Sequence, residues 1–323
     1  MYDIIQTLND WTKAYDEGNP KVSDKVWDDL YFKLKQLEKE SGIVLPESPT
    51  NGISYEVKSE LQKVEHNHKM LSLDKTKDWN EFLNYFVNLN SSKDVCGMLK
   101  MDGLTCSLRY VDGKLVSAET RGNGVIGEDI LHNARTLRSI PQTINYKDEL
   151  IIDGEVICTY QDFKQFSNEY KNPRNFASGS IRLLDANECK KRNLTFVVWN
   201  VVKGFNEKNS FMRRLELARD LGFVIVPFIP SFDWDAKEYL IGLAETFGYP
   251  IDGLVGRFDD IAYGQSLGET GHHIRAAYAF KFYDEEYDTT LESIEWSMGR
   301  TGVYTPVAVF EPVEADGSVI SRA

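Results

Sequence analysis

The chain has 323 residues, room for a large core with one or two smaller modules. Its 37 Lys and Arg against 50 Asp and Glu give a formal charge of -13, which argues against a globally electropositive nucleic-acid binder and leaves only a local basic patch open. The N-terminus lacks the basic, apolar and small-residue order of a secretory signal, and no apolar run is long enough to span a bilayer, so a cytoplasmic protein with no membrane partner is expected.

In chain order, Ser23-Asp24 can cap a helix whose apolar positions Val26, Trp27, Leu30, Tyr31, Leu34 and Leu37 recur at helical spacing before the charged run Glu38-Lys39-Glu40 and Gly42. Pro46, Pro49, Asn51 and Gly52 read as a loop, and a second helix is expected from Glu56 to Lys63, closing a small helical lobe near residue 68. From Met70 onward the texture is one of short strands: 96–100, 105–110, 114–120 and 150–158, with Val111-Asp112-Gly113-Lys114 as a hairpin turn. Strands are also expected over 196–202 and 225–229, and Phe211 to Leu221 reads as a helix with Arg213 and Arg214 on its wet side. After Phe282 an acidic turn leads to strand-like runs at 291–296 and 307–310. The expected class is α+β, a mixed domain with no internal repeat and no strand-linked GxGxxG. Cys96, Cys106, Cys158 and Cys189 are widely spaced without a CxxC pair, which favours buried thiols over zinc or dithiol chemistry, and no metal ligands are assigned.

The chemistry-bearing segments are individually weak. Lys100-Met101-Asp102-Gly103 offers an amine nucleophile, with Lys100 and Asp102 facing opposite Leu99 and Met101 if the segment is a strand; a surface ion pair looks the same. To attack a phosphate the amine needs desolvation or nearby positive charge. Thr120-Arg121-Gly122-Asn123-Gly124 adds a glycine-rich turn able to admit a nucleotide. Asn172-Pro173-Arg174-Asn175 with Ala177-Ser178-Gly179-Ser180 and Arg182 sets two guanidinium groups among small residues, which suits phosphate oxygens and equally suits a loop and helix start. Asp153-Gly154-Glu155, at the end or entry of a strand, can accept from ribose hydroxyls, or can be an acidic turn. Asp252-Gly253, Arg257 and Phe280-Lys281-Phe282 complete the set, Lys281 pointing opposite its apolar neighbours.

Together, and in this order, KxDG, TRGxGxxGED, DGE, NPRNxAxGSxR, DGxV, AFKF and the terminal GRTGxxTPVA with SRA resemble the adenylation region of bacterial-type NAD-dependent DNA ligases, members of the covalent nucleotidyltransferase superfamily. The resemblance covers nearly the whole chain, including Ser23-Asp24, Trp27-Asp28, Ser48-Pro49-Thr50 and Leu71-Ser72-Leu73-Asp74. It implies an ATP-grasp-like ligase adenylation domain at 69–284, a helical lobe for nicotinamide mononucleotide (NMN) at 1–68, and the beginning of an OB fold at 285–323.

By resemblance, Lys100 is the nucleophile that takes AMP from NAD and releases NMN. Asp102 and Glu155 hold the ribose, Arg121 and Arg182 orient the sugar-phosphate, and Lys281 neutralises charge on the α-phosphate. Arg174 adds a phosphate or DNA-backbone contact, and Trp199 stands where the family commonly stacks tyrosine on adenine. Ser72 and Leu73 join the cofactor-binding set, and Tyr15, Asp24, Trp27 and Asp28 grip the NMN half. Trp27 replaces a tyrosine, Ala14 a common pocket aromatic, Met98 a usual glutamate, and Arg257 a usual lysine near the phosphate; a divergent but active site is expected. Magnesium is implied as a second cofactor. The implied partner is nicked double-stranded DNA, reached through the family's further OB, zinc, helix-hairpin-helix and BRCT elements or through a second subunit. An isolated chain is expected to self-adenylate without sealing nicks efficiently; the alternative is a partner-dependent or catalytically weak subunit of a split ligase. RNA ligases and capping guanylyltransferases share the lysyl-nucleotide chemistry, while the helical lobe and NPRN segment favour NAD as donor.

Overall fold

The helical segment at the start is built around a stripe. Helices Tyr2–Asp16 and Asp24–Ser41 share a small core of Ile5, Leu8, Tyr31 and Leu34. In this computed structural model, residues 1–16, 21–22, 24–45, 48–50, 61–232, 234–270, 273–282, 288–298, 304–315 and 318–323 are described. Val26, expected in the stripe, is exposed, because Trp27, Leu30, Tyr31 and Leu34 at i, i+3, i+4 and i+7 define a face that excludes it. Nor does the charged run end the helix. Glu38 is buried inside it, its carboxylate accepting from the hydroxyls of Ser48 and Thr50. Ser23 and residues 51–60 lie outside the described residues, and so does most of the helix expected from Glu56. Its last residue, Lys63, opens the strand Lys63–Glu65 instead, which pairs antiparallel with Ile126–Glu128.

Two sheets form the body. One runs in the order Lys75–Thr76, Ala277–Lys281, Ile251–Phe258, Val95–Met101, Phe228–Ile229, with only the first pairing parallel. The other is antiparallel in the order Lys114–Thr120, Leu104–Val111, Leu150–Ile157, Thr195–Lys203. The hairpin between Leu104–Val111 and Lys114–Thr120 is closed by Asp112 and Gly113 at φ 49° and 73°, the left-handed pair that a two-residue turn requires. The expected strand 225–229 narrows to Phe228–Ile229, with Ile225 contributing a single bridge to Val198.

Helix Trp79–Asn90, capped by the Asp78 side chain accepting from Glu81 N, covers one face of the five-stranded sheet. Gly97 and Gly256 sit opposite each other in register on that face. A Cβ on Gly97 would lie 1.9 Å from Phe232 Cδ2, and one on Gly256 2.6 Å from Phe86 Cε2, so both positions must stay bare for the aromatic layer of Trp79, Phe82, Phe86, Phe232 and Phe280 to close. Helices Pro173–Ile181 and Phe211–Asp220 pack against the apolar face of the four-stranded sheet, where Leu108, Tyr110, Ile152, Val156, Phe196 and Val198 are buried. On the second of these helices Arg213 faces out and pairs with Glu216. Arg214 does not: it is buried, its Nε donating to the Lys208 carbonyl at 2.9 Å, which supplies the acceptor that burial demands.

Strands Leu291–Met298, Tyr304–Ala315 and Ser318–Arg322 make a three-stranded antiparallel sheet with Leu291, Ile294 and Trp296 exposed. The acidic turn after Phe282 and the Gly299-Arg300-Thr301-Gly302 stretch lie outside the described residues. All four cysteines are free and buried, as the spacing predicts. Among the described residues no helix is long and apolar enough to cross a membrane.

Candidate active site

Lys100 and Lys281 flank Gly253 across three neighbouring strands, Lys100 directly opposite it on one side and Lys281 on the other. Opposed residues of a ladder project to the same face, so both amines leave the sheet together, away from the aromatic layer. The Ile251–Phe258 strand carries a bulge between Ile251 and Gly253, which re-aims Asp252. The Asp252 carboxylate then accepts from Lys100 Nζ through both oxygens, at 2.7 and 2.8 Å. Burial pushes the Asp252 carboxyl up, but Lys100 and Lys281 outweigh it and hold the group below the usual carboxylate range. The direct partner of Lys100 is thus a carboxylate.

Lys281 in turn donates to Asp28 of the helix Asp24–Ser41, and Lys75 donates to the other oxygen of the same carboxylate. Asp28 is 1% exposed; burial raises its carboxyl, and the two ammonium groups bring it below the ordinary value.

The four-stranded sheet supplies the facing acids. Asp153-Gly154-Glu155 is neither strand end nor turn: it lies inside Leu150–Ile157, with Gly154 turned toward Phe196 and the two carboxylates on the opposite face. Thr105, paired in register with Glu155, donates its hydroxyl to Glu155 Oε2 at 3.0 Å. Burial pushes Glu155 up to about 7, against the partial offset of Arg174 and Lys100, so near neutrality it can either donate or accept a hydrogen bond. Asn172 caps the helix Pro173–Ile181, which fixes Arg174 in its first turn, and Arg174 Nη1 reaches Asp102 Oδ1 at 2.6 Å. Farther along the same face Glu119, Ser107 and Asp153 stand in one row across three strands. His66 lies 3.1 Å from Glu119, and His68 3.1 Å from Asp153.

The structure therefore brings Lys100, Lys281 and Asp28 into one row, with Asp102, Arg174 and Glu155 beside it. Arg121 starts the glycine turn and gives its backbone N–H to Thr105 O at 2.9 Å, next to the Thr105–Glu155 pair. Trp199 is partly buried at a bulge opposite Asp153 and Gly154. Leu73 packs against the main core and Ser72 bridges to His273. Other candidates stand apart. Arg182 pairs with Glu128 at 2.8 Å, and Glu128 is bonded to Thr120, whose ladder partner Cys106 is on the helix-covered side of the sheet. Arg257 is opposite Cys96 with its guanidinium 4.3 Å from the Phe211 ring centroid. At about 3.3 Å per residue, four residues put it about 13 Å along the strand from Gly253. Trp27 donates its indole N–H to Thr12 Oγ1 at 2.9 Å and stacks on Tyr31 within the helical pair. Tyr15 and Asp24 fall in the two helices, their side chains outside the described residues.

Sequence reasoning missed Lys75, Thr105 and the two histidine–carboxylate pairs. Only Lys75 left a trace, as the residue after the Leu71-Ser72-Leu73-Asp74 segment. Among the described residues no group of three or more His, Cys, Asp or Glu could hold a metal ion.

The family model for the NAD-dependent DNA ligase adenylation domain matches residues 58–285, and that for the NAD-dependent DNA ligase OB-fold domain matches residues 288–323. A DNA ligase of Ruminiclostridium cellulolyticum is 43% identical across 100% of this chain and 50% of its own length. One of Lachnoclostridium phytofermentans is 41% identical across 99% of the chain and 50% of its length, and one of Helicobacter hepaticus 36% identical across 100% and 52%. The chain spans about half the length of the curated relatives it matches. On these matches, with a lysine of a KxDG motif in a row of charged side chains, the chain belongs to the family of NAD-dependent DNA ligases.

Proposed function

We propose that this chain carries the nucleotide-activation half of NAD-dependent DNA ligation. Lys100 Nζ forms a bond to the α-phosphorus of NAD, the P–O bond to the NMN phosphate breaks, and NMN leaves with the electron pair. The amine proton passes to Asp252 or solvent, Asp252 being the carboxylate already in contact. The AMP then moves to a 5' phosphate at a DNA nick, and the 3' hydroxyl displaces it. The observation that carries the reading is the row formed by Lys100 and Lys281 across Gly253, a nucleophile and a second cation fixed on one face by strand register.

In this proposal Asp102 and Glu155 hold the ribose, Arg121 and Arg174 serve the sugar-phosphate or DNA backbone, and Trp199 stacks on adenine with Ser72 and Leu73 beside it; Arg182 and Arg257, engaged by Glu128 and Phe211 away from the row, are left out of it. Tyr15, Asp24, Trp27 and Asp28 take the NMN half. The boundaries 1–68, 69–284 and 285–323 divide an NMN lobe, an ATP-grasp-like nucleotidyltransferase domain and the first part of an OB fold. Magnesium enters with the nucleotide's phosphates; among the described residues no group of three or more His, Cys, Asp or Glu could hold it. The reaction belongs in the cytoplasm, with nicked DNA engaged through further ligase modules or a second subunit.

The test is intact-mass analysis after incubation with NAD and magnesium, followed by peptide mapping, with ATP as the competing donor. One AMP adduct on Lys100 is expected from NAD, none from ATP, and none in Lys100→Ala. A folded sample, free of pre-bound AMP, that acquires no adduct would overturn the proposal.

A further inference from the structure

The seam between the helical pair and the five-stranded sheet carries more than packing. Asp28, Tyr31, Phe32 and Lys35 lie at i, i+3, i+4 and i+7 of one helix and face the segment 74–77 of the sheet. Among the described residues four ion pairs join the helix to the sheet: Lys35 with Asp74, Lys77 with Asp29, and both Lys75 and Lys281 with Asp28. In the two pairs of Asp28 both side chains are largely buried, Lys75 20%, Lys281 9% and Asp28 2% exposed. The Lys75 ammonium also lies 5.2, 5.1 and 5.7 Å from the ring centroids of Trp27, Tyr31 and Phe32, so aromatic faces of the helix take the place of water around it. Its backbone is fixed by the parallel pairing with Ala279, two residues before Lys281.

Two cations therefore share one carboxylate. Lys75, Lys281 and Lys100 are three ammonium groups, and Asp28 and Asp252 are the two carboxylates that join them. The row has one positive charge in excess, the sign that a phosphate group neutralises. If Lys281 were the sole partner of Asp28, handing Lys281 to a phosphate would strip a buried carboxylate of its counter-ion and release the helix, a costly outcome for a buried charge.

We propose that Lys75 is a positioning residue for the nucleotide reaction: it keeps Asp28, and through it the helical pair, seated on the sheet while Lys281 exchanges the Asp28 carboxylate for a phosphate. The inference rests on the proposed function for its consequence in catalysis, and on the seam alone for its structural claim. Lys281 can serve the reacting phosphate because Lys75 stays behind with Asp28. A donor with a second nucleotide half under the helical pair gains from this arrangement.

The experiment uses the whole 323-residue chain with Lys75→Met, Lys75→Arg and Lys281→Met. In Lys75→Met the NAD concentration giving half-maximal labelling of Lys100 is expected to rise about tenfold with the maximal rate changed less than about threefold, and Lys75→Arg should recover most of the shift. Lys281→Met should show the reverse split, a loss of maximal rate above all. Amide exchange in the helix Asp24–Ser41 should accelerate more in Lys75→Met than in Lys281→Met. Equal acceleration in the two variants, or a Lys75→Met chain that loses maximal rate without a shift in half-saturation, overturns the inference. A wild-type chain that NAD fails to label sinks the proposed function instead, and the exchange comparison still decides the role of Lys75.

Discussion

The two-sheet body and the helical pair are held by different forces. In the body, Phe82 is fully buried against Trp79, Phe86, Phe232, Tyr278 and Phe280, and removal of any one ring leaves a void. The helical pair has a core of four buried side chains and meets the sheet through charges. The contrast reaches individual carboxyls. Glu155, enclosed by the body, is pushed up to about 7 by burial, while Asp28, buried at the seam, is held low by two ammonium groups. Packing in the body fixes the geometry of the row, and charge at the seam joins the helical pair to it.

The strongest way to break this contrast is Phe82→Ala, expected to cost about 3–5 kcal/mol in urea unfolding because the ring layer cannot collapse around the gap. A loss under about 1 kcal/mol would mean that the layer is not the load-carrying core. Titration sharpens the contrast next. Glu155 has a folded value above its ordinary 4.5, so as pH climbs the unfolded chain releases this proton first, and the folded state loses stability between about 4.5 and about 7. Asp28 runs the other way: its contribution is present above the ordinary 3.8 and is lost only in acid. Glu155→Gln should therefore gain on the order of 2 kcal/mol relative to wild type between pH 5 and pH 8 in urea unfolding. Parallel pH profiles for the two proteins would remove Glu155 as the group responsible. The smallest effect belongs to Lys35→Ala, whose pair with Asp74 is about a third exposed or more on each side. It should cost less than about 1 kcal/mol, and the loss should fade in high salt when melting is followed at two ionic strengths.

What could be read from the sequence follows the same division. Alternation and the Asp112-Gly113 turn located the strands of the four-stranded sheet to within a residue or so, because both signals are local. Helix Trp79–Asn90 was hidden in a stretch expected to be strands and turns: Trp79, Phe82, Tyr85 and Phe86 carry strand-favouring propensity, and the helix follows from the Asp78 cap and the i, i+3, i+4 spacing against the sheet. Arg214 was misplaced for a related reason, since its acceptor is a backbone carbonyl that no charge pattern announces. The motifs named most of the charged groups in the cleft, but not who meets whom. Lys100 finds Asp252 across 152 positions, and Lys281 finds Asp28 across 253. Such pairings depend on strand register and on the seating of a separate pair of helices, which no window of sequence contains.

The ladder through Lys100, Gly253 and Lys281 makes the spacing of the two amines discrete rather than adjustable. Side chains on a strand alternate with a period of two, so a slip by one residue in either pairing would not move an amine slightly; it would turn it through the sheet toward Phe82 and Phe86. Loops between these strands can lengthen or shorten without altering the distance between the two amines, and the peptide groups that count it out admit only whole steps.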